Sequence, residues 1–366
     1  MREQKELKIG NLLPKIPLIQ GGMGVGISLS SLAGAVAKEG AIGVISTAQI
    51  GYREEDFDKN PLKANMRAIH KEIERARQIA KDGILGVNIM VATRNYPEYV
   101  KEVVRAGIDL IISGAGLPME LPKVVKEEWE ELKKVGKEKV FPALVPIVSS
   151  KKAANLMLKM WDKKDGIVPD ALIYEGPKAG GHLGFLKEQA ENMTQEECDE
   201  EIKGIIEAVK PYEEKYGREI PIIVAGGVTT KEDMEHYFQL GAKGIQVATP
   251  FITTEECDAD RRYKEAYLAC QKEDIVLVKS PVGMPGRALY NEFQKRLERD
   301  GKIPVTHCHT CIAKCNPKEI PYCITDGLVQ AVKGNIDEGL LFCGANGYRE
   351  TKITTVREVL ERYWEL

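Results

Sequence analysis

The chain has 366 residues, 43% hydrophobic and 29% charged, which is enough apolar material for a full-sized core. That length suits two domains, or one α/β barrel of about 250 residues with an appendage. Lys+Arg 52 against Asp+Glu 55 leaves a net charge of −3 with the basic residues scattered, which excludes the electrostatic footprint of a nucleic-acid binder. The opening stretch mixes charges with short apolar runs, unlike a secretory leader, and no run approaches the roughly 18 apolar residues of a membrane span. A cytoplasmic protein is expected.

In chain order, short β-branched runs alternate with longer amphipathic stretches, the pattern of βα units around a parallel sheet. Strands are expected at 17–20, 42–46, 84–89, 110–113, 141–147, 171–174, 220–225 and 244–248. Helices are expected between them at 30–38, 62–81, 96–106, 119–135, 150–163, 196–210 and 231–240. The eightfold alternation fits a (β/α)8 TIM barrel; a doubly wound open sheet is the structural alternative, which strand counting separates poorly. Glycine-rich turns follow the first, fourth, sixth and seventh strands. In a barrel these loops share the C-terminal face, where active sites are built. Residues 251–323 lack the rhythm, with a charged helical run at 255–272, a strand-like IVLVKSP and a Cys/His-rich stretch. They read as a lid inserted between the eighth strand and the closing helix, leaving 1–250 and 324–366 for the barrel. The tail resumes helical patterning at 324–333, and 354–364 reads as a last surface helix.

Gly226-Gly227 ends the strand PIIVA, and Gln246, Ala248 and Thr249 end the next, so backbone N–H groups and a hydroxyl could converge after strands seven and eight. Barrels commonly hold a phosphate there, although either motif alone also reads as a simple turn. Asn88 closes the strand LGVNI, where its amide can donate and accept toward a planar heterocycle, or else cap the next helix. Gly21-Gly22-Met23-Gly24 offers side-chain-poor backbone for a ring to lie against. His182, in KAGGHLGF, is a candidate acid/base, since an imidazole titrates near neutral pH; the plainer reading is a histidine bonded to its own loop. His70 and His236 lie in charged helical stretches and are expected to face solvent, whereas His307 and His309 belong with the cysteines.

Five segments together resemble the nitronate monooxygenase (2-nitropropane dioxygenase) family of FMN-dependent barrels: IPLIQGGMG at 16–24, GVNIM at 86–90, AGGHLG at 179–184, IVAGGV at 223–228 and IQVATPF at 245–251. Flavin-dependent enoyl-ACP reductases share several of them. The resemblance implies that Gly22, Met23 and Gly24 meet the isoalloxazine, that Asn88 holds the flavin and that Ala179, Gly180 and Gly181 line it. It also implies that Gly226, Gly227, Gln246, Ala248 and Thr249 surround the phosphate end, and that His182 moves the substrate's proton. Residues 251–287 would cover the flavin. Three departures stand out. Cys343-Gly344-Ala345 replaces a glycine-glutamine pair, so that polar contact is missing or moved to Asn346; Glu175 stands where the substrate pocket is set; and the cysteines are an addition.

Five of the eight cysteines fall in the last sixty or so residues, and Cys308, Cys311, Cys315 and Cys323 are packed into sixteen positions. Disulfides are unexpected in a cytosolic setting. The spacing matches a four-cysteine iron–sulfur cluster, written 4Fe-4S, better than paired zinc motifs, while a lid of reduced thiols without metal is the plainer reading. The leading functional expectation is oxidation of an alkyl nitronate, a small-molecule substrate, to a carbonyl compound and nitrite. The runner-up is an NAD(P)H-dependent flavin reductase, of the enoyl-ACP reductase type or acting on another acceptor, to which an iron–sulfur relay could be added, and the non-enzymatic alternative is a flavin- or cluster-binding regulator on the same scaffold. The oligomeric state stays open, a homodimer included.

Overall fold

The computed structural model describes residues 6–365. It contains the expected barrel. Strands β1 (Leu18–Gln20), β2 (Gly43–Ser46), β3 (Leu85–Met90), β4 (Leu110–Gly114), β5 (Ala143–Val148) and β6 (Leu172–Glu175) come first; the short β7 (Gly181–His182) stands apart, and β8 (Ile222–Ala225) and β9 (Gly244–Val247) follow. All eight barrel strands pair in parallel, with β9 against β1, and a bridge between Ile19 and Ile42 joins β1 to β2 and closes the ring. Buried Gln20 reinforces that seam, its Oε1 accepting from the Val44 N–H at 3.0 Å. Alternation along the strands builds two layers. Ile19, Val44, Ile112, Val145, Ile173 and Ile223 fill the interior with Leu7 and Ile9 from the N-terminal segment. Their neighbours Leu18, Leu172, Tyr174, Ile222 and Val224 point outward under the helices. Because both faces are buried, the strands read as continuous apolar runs.

The outer ring is α1 (Ser30–Lys38), α2 (Pro61–Ala80), α3 (Tyr96–Ala106), α4 (Leu121–Lys134), α5 (Lys151–Asp165), the short α6 (Lys187–Asn192), α7 (Gln195–Tyr216) and α8 (Lys231–Leu240). Helix α7 runs past the expected stop at Pro211, because the following residues favour helix and Tyr212 and Tyr216 pack onto the outer core. The closing position is taken by α13 (Val356–Glu361), whose Val359 and Leu360 are wholly buried beside Leu32 and Val36 of α1. Helix 354–364 is therefore more than a surface helix.

After β9 come α9 (Thr249–Ile252), α10 (Arg261–Ala269), the hairpin β10 (Ile275–Lys279) and β11 (Pro285–Leu289), α11 (Glu292–Asp300) and α12 (Ile324–Val332). The expected charged helix is shorter than 255–272, since Asp260 caps it through the Arg262 N–H. Ile324 of α12 packs with Val278, Ala288, Phe293, Ile312 and Tyr322, all from the inserted segment. Strand β11 pairs on its other edge with β7, putting Gly286 opposite His182 and Arg287 opposite Gly181. The insert thus grips the loop that carries the candidate acid/base. No helix among the described residues is long and apolar enough to cross a membrane.

Candidate active site

The C-terminal ends of all eight barrel strands open into one cavity of about 250 Å³. Every residue singled out for flavin binding lies on its wall: Gly22, Met23 and Gly24 after β1, Asn88 in β3, Ala179, Gly180 and Gly181 after β6, Gly226 and Gly227 after β8, and Gln246, Ala248 and Thr249 at β9. Glu175 and His182 join them; the insert adds Val282, Cys311 and Ile312, and the chain after it adds Ile324 and Phe342, as a roof.

Close backbone approach explains the glycines. A Cβ on Gly22 would stand 2.4 Å from the Asn88 Cβ, and one on Gly24 would stand 2.7 Å from Ala48 Cβ and Ser46 Oγ. The Met23 N–H donates to Ser28 Oγ at 2.8 Å, which pins the turn. Gly226 and Gly227 sit at φ +91° and +90°, where an L side chain is strained. Asn346 Nδ2 donates to the Gly227 carbonyl at 3.2 Å, and the Gly344 N–H donates to Thr249 Oγ1 at 3.3 Å. Asn346 thus lies on the cavity wall and is engaged with the glycine pair.

His182 is half-buried on the cavity wall. Its Nε2 lies 2.7 Å from Ser280 Oγ, and its ring meets Phe342 edge-on at 5.0 Å. Burial lowers its pKa to about 4, so the imidazole is neutral at neutral pH. Glu175 shows the opposite consequence of the same cause: burial pushes its carboxyl up to about 7. His70 and His236 are spent on surface carboxylates, Glu102 at 2.6 Å and Asp199 at 2.9 Å.

Sequence reasoning missed Arg287. Buried in β11, it donates to the carbonyls of Pro177 at 2.6 Å and Ala179 at 2.8 Å, fixing the loop between β6 and β7. The only available signal was an arginine in the otherwise apolar run PGRAL.

The four clustered cysteines line a second, small cavity together with Arg94 and His309. Cys311 and Ile312 belong to both cavities. The segment docks beside β3, where Thr93 bridges Ile312 and the Arg94 N–H donates to the Cys311 carbonyl at 2.9 Å. Four thiolates on one zinc would sit about 3.8 Å apart, as follows from tetrahedral bonds of about 2.3 Å. Among the described residues no three of these thiols come within 4.8 Å of one another.

The sequence profile of the nitronate monooxygenase family matches residues 5–365. The chain belongs to that family. A probable nitronate monooxygenase of Staphylococcus saprophyticus is 28% identical over 317 residues, covering 81% of each chain. Another from Staphylococcus aureus strain Newman is 25% identical, covering 79% of each. In fold the protein is similar to FabK of Thermotoga maritima, with a TM-score of 0.68, 24% identity and coverage of 96% of this chain and 92% of that one. It is likewise similar to the nitroalkane oxidase of Streptomyces ansochromogenes, with a TM-score of 0.66, 18% identity and 96% coverage of both chains. This nitronate monooxygenase family member is thus an FMN-dependent oxidoreductase. Its cavity fits a flavin: glycine backbone clears one wall, and the glycine pair beside Thr249 offers a phosphate cradle. Inward-facing Asn88, Glu175 and Gln246 supply polar groups between them.

Proposed function

We propose that this protein oxidises alkyl nitronates to a carbonyl compound and nitrite, with dioxygen as the co-substrate that supplies the carbonyl oxygen and reoxidises the flavin, and with His182 as the proton-transfer residue. The observation that carries the reading is the meeting of His182 with all the flavin-motif residues on one cavity wall. Bound FMN supplies the two-electron redox chemistry at that wall. Gly22 and Gly24 leave room for a ring, Asn88 and Gln246 orient it, and Gly226, Gly227 and Thr249 hold its phosphate. Phe342, Ile312 and Leu328 keep water from the reacting carbon.

A desolvated, neutral imidazole is a weak base for a neutral nitroalkane, whose carbon must first lose a proton. An anionic nitronate needs no such removal, and its charge beside His182 favours the protonated ring, so Nε2 then has a proton to return. Ser280 Oγ, 2.7 Å from Nε2, sets the ring's orientation. These features support a substrate that arrives already as the nitronate.

A second reading has its own observation, the wall that the two cavities share at Cys311 and Ile312. Cys308, Cys311, Cys315 and Cys323 would hold a 4Fe-4S cluster, which supplies one-electron transfer. An NAD(P)H-dependent reductase with an acceptor other than oxygen is the activity this supports. The visible spectrum of the anaerobically purified protein separates the two. Bleaching by a nitronate alone supports the nitronate reading, whereas broad iron–sulfur absorbance with bleaching by NADPH and none by nitronate overturns it. His182→Ala should lower turnover of preformed nitronate while FMN occupancy stays near the wild-type level, and unchanged nitronate turnover would remove the proton-transfer role.

A further inference from the structure

His309 is the buried histidine of the inserted segment, and its ring is held on three sides. Its Nε2 lies 2.7 Å from Asp326 Oδ1, and its face stacks on Phe57 at 5.1 Å and 23°. His307 meets it edge-on at 4.7 Å. Only 6% of the side chain is exposed. A carboxylate accepts, so Nε2 must carry the proton that it donates to Asp326, and in the neutral ring Nδ1 is then a bare lone pair. That Nδ1 is buried and has no hydrogen-bond partner. A buried acceptor without a donor costs about 1–3 kcal/mol, so its retention calls for an electropositive occupant.

What faces this lone pair supplies the rest of a ligand set. Asp58 Oδ1 lies 3.9 Å from Nδ1, too far for a hydrogen bond. Asp58, His307 and His309 each present a ligand atom within 4.8 Å of the others. Two ligands on one tetrahedral ion with bonds of about 2.05 Å stand about 3.4 Å apart, so Asp58 needs to close by only about half an ångström. Its side chain is 78% exposed and can swing that far. The histidine-to-carboxylate bond beyond the ring is the outer support that metal-binding imidazoles use to fix tautomer and orientation.

We propose that Asp58, His307 and His309 bind a divalent transition-metal cation of the zinc class, with water completing the tetrahedron at the exposed side. Two imidazoles and one carboxylate favour such an ion over calcium or magnesium, which take oxygen ligands. The ligand set includes none of the four cysteines, although His309 also lines their cavity. It joins two walls of the active cavity: Asp58 stands on the β2–α2 connection that contributes Ala48 and Gln49, and the histidines precede Cys311 and Ile312. The bound ion ties the cysteine-bearing segment down over the barrel mouth.

Zinc titration by calorimetry, and Co²⁺ as a spectroscopic probe, test this on the flavin-loaded, anaerobically purified full chain. Wild type should take up one ion, with a cobalt spectrum free of thiolate charge-transfer bands. Asp58→Asn and His307→Gln, both at exposed positions, should each weaken binding by at least about tenfold, the lower end of what losing even an outer-shell partner costs. Unchanged affinity in both variants, a cobalt–thiolate spectrum, or no uptake by wild type would each overturn the proposal.

Discussion

Acid should destabilise this protein through His182, and the size of the effect follows from its burial. The folded pKa is about 4 against an ordinary 6.5, because the cavity wall strips water from the imidazolium. Protonation is therefore easier in the unfolded chain. The stability held by the neutral ring is complete above pH 6.5 and is lost as pH falls through the window from 6.5 to about 4. At about pH 4.5 the linkage integral for these two values gives a loss of about 2.5 kcal/mol. The ring borders a cavity that admits water, which reduces the figure toward about 1.5 kcal/mol. His182→Gln keeps a polar partner for Ser280 and cannot titrate. Urea unfolding of both proteins, with excess FMN, at about pH 7.5 and about pH 4.5 isolates the difference, since the other groups titrate alike in both. Wild type should lose about 1.5–2.5 kcal/mol more than the variant over that interval. Parallel losses would refute the assignment of a desolvated, neutral ring.

Gly226→Ala should lose about 2–4 kcal/mol in urea unfolding and retain less flavin, since its φ of +91° strains a side chain and the new Cβ would stand 2.8 Å from the Gly176 carbonyl. Relaxed packing with full stability would contradict the backbone argument. Glu175, raised to about 7 by burial, is largely protonated below that pH and ionised above it. FMN, itself an anion, should thus bind more weakly as pH rises through about 7, and Glu175→Gln should flatten that dependence in a flavin fluorescence titration. An identical pH profile in the variant would show that Glu175 does not face the ligand. Cys311→Ser should lower the iron content of anaerobically purified protein while FMN occupancy stays near the wild-type level; iron absent from both proteins would leave the cysteines as packing thiols.

The barrel was legible because its strands are buried on both faces. An apolar run such as 110–113 needs no alternation to be recognised, and the folded strand, Leu110–Gly114, departs from it by one residue. Helix ends were less legible where two signals conflicted. Pro211 argued for a stop, yet the lost N–H is outweighed by the packing of Tyr212 and Tyr216, and α7 continues to Tyr216. The cavity wall was readable for a related reason. Asn88, Glu175 and Gln246 are polar residues at or near the ends of apolar strands, and all three line the cavity at the barrel mouth.

The insert was opaque because its order comes from pairing across long stretches of chain. Strand β7 has two residues and exists only because β11, more than a hundred positions later, supplies an edge. Arg287 acquires its task from that register: opposite Gly181, its guanidinium reaches the carbonyls of Pro177 and Ala179. The same holds for His309, whose partners Asp58 and Asp326 come from opposite ends of the chain. In both places one buried polar side chain fastens the insert to the barrel loops, Arg287 to the loop before His182 and His309 to the connection after β2. The roof of the cavity is therefore anchored on either side of the flavin site.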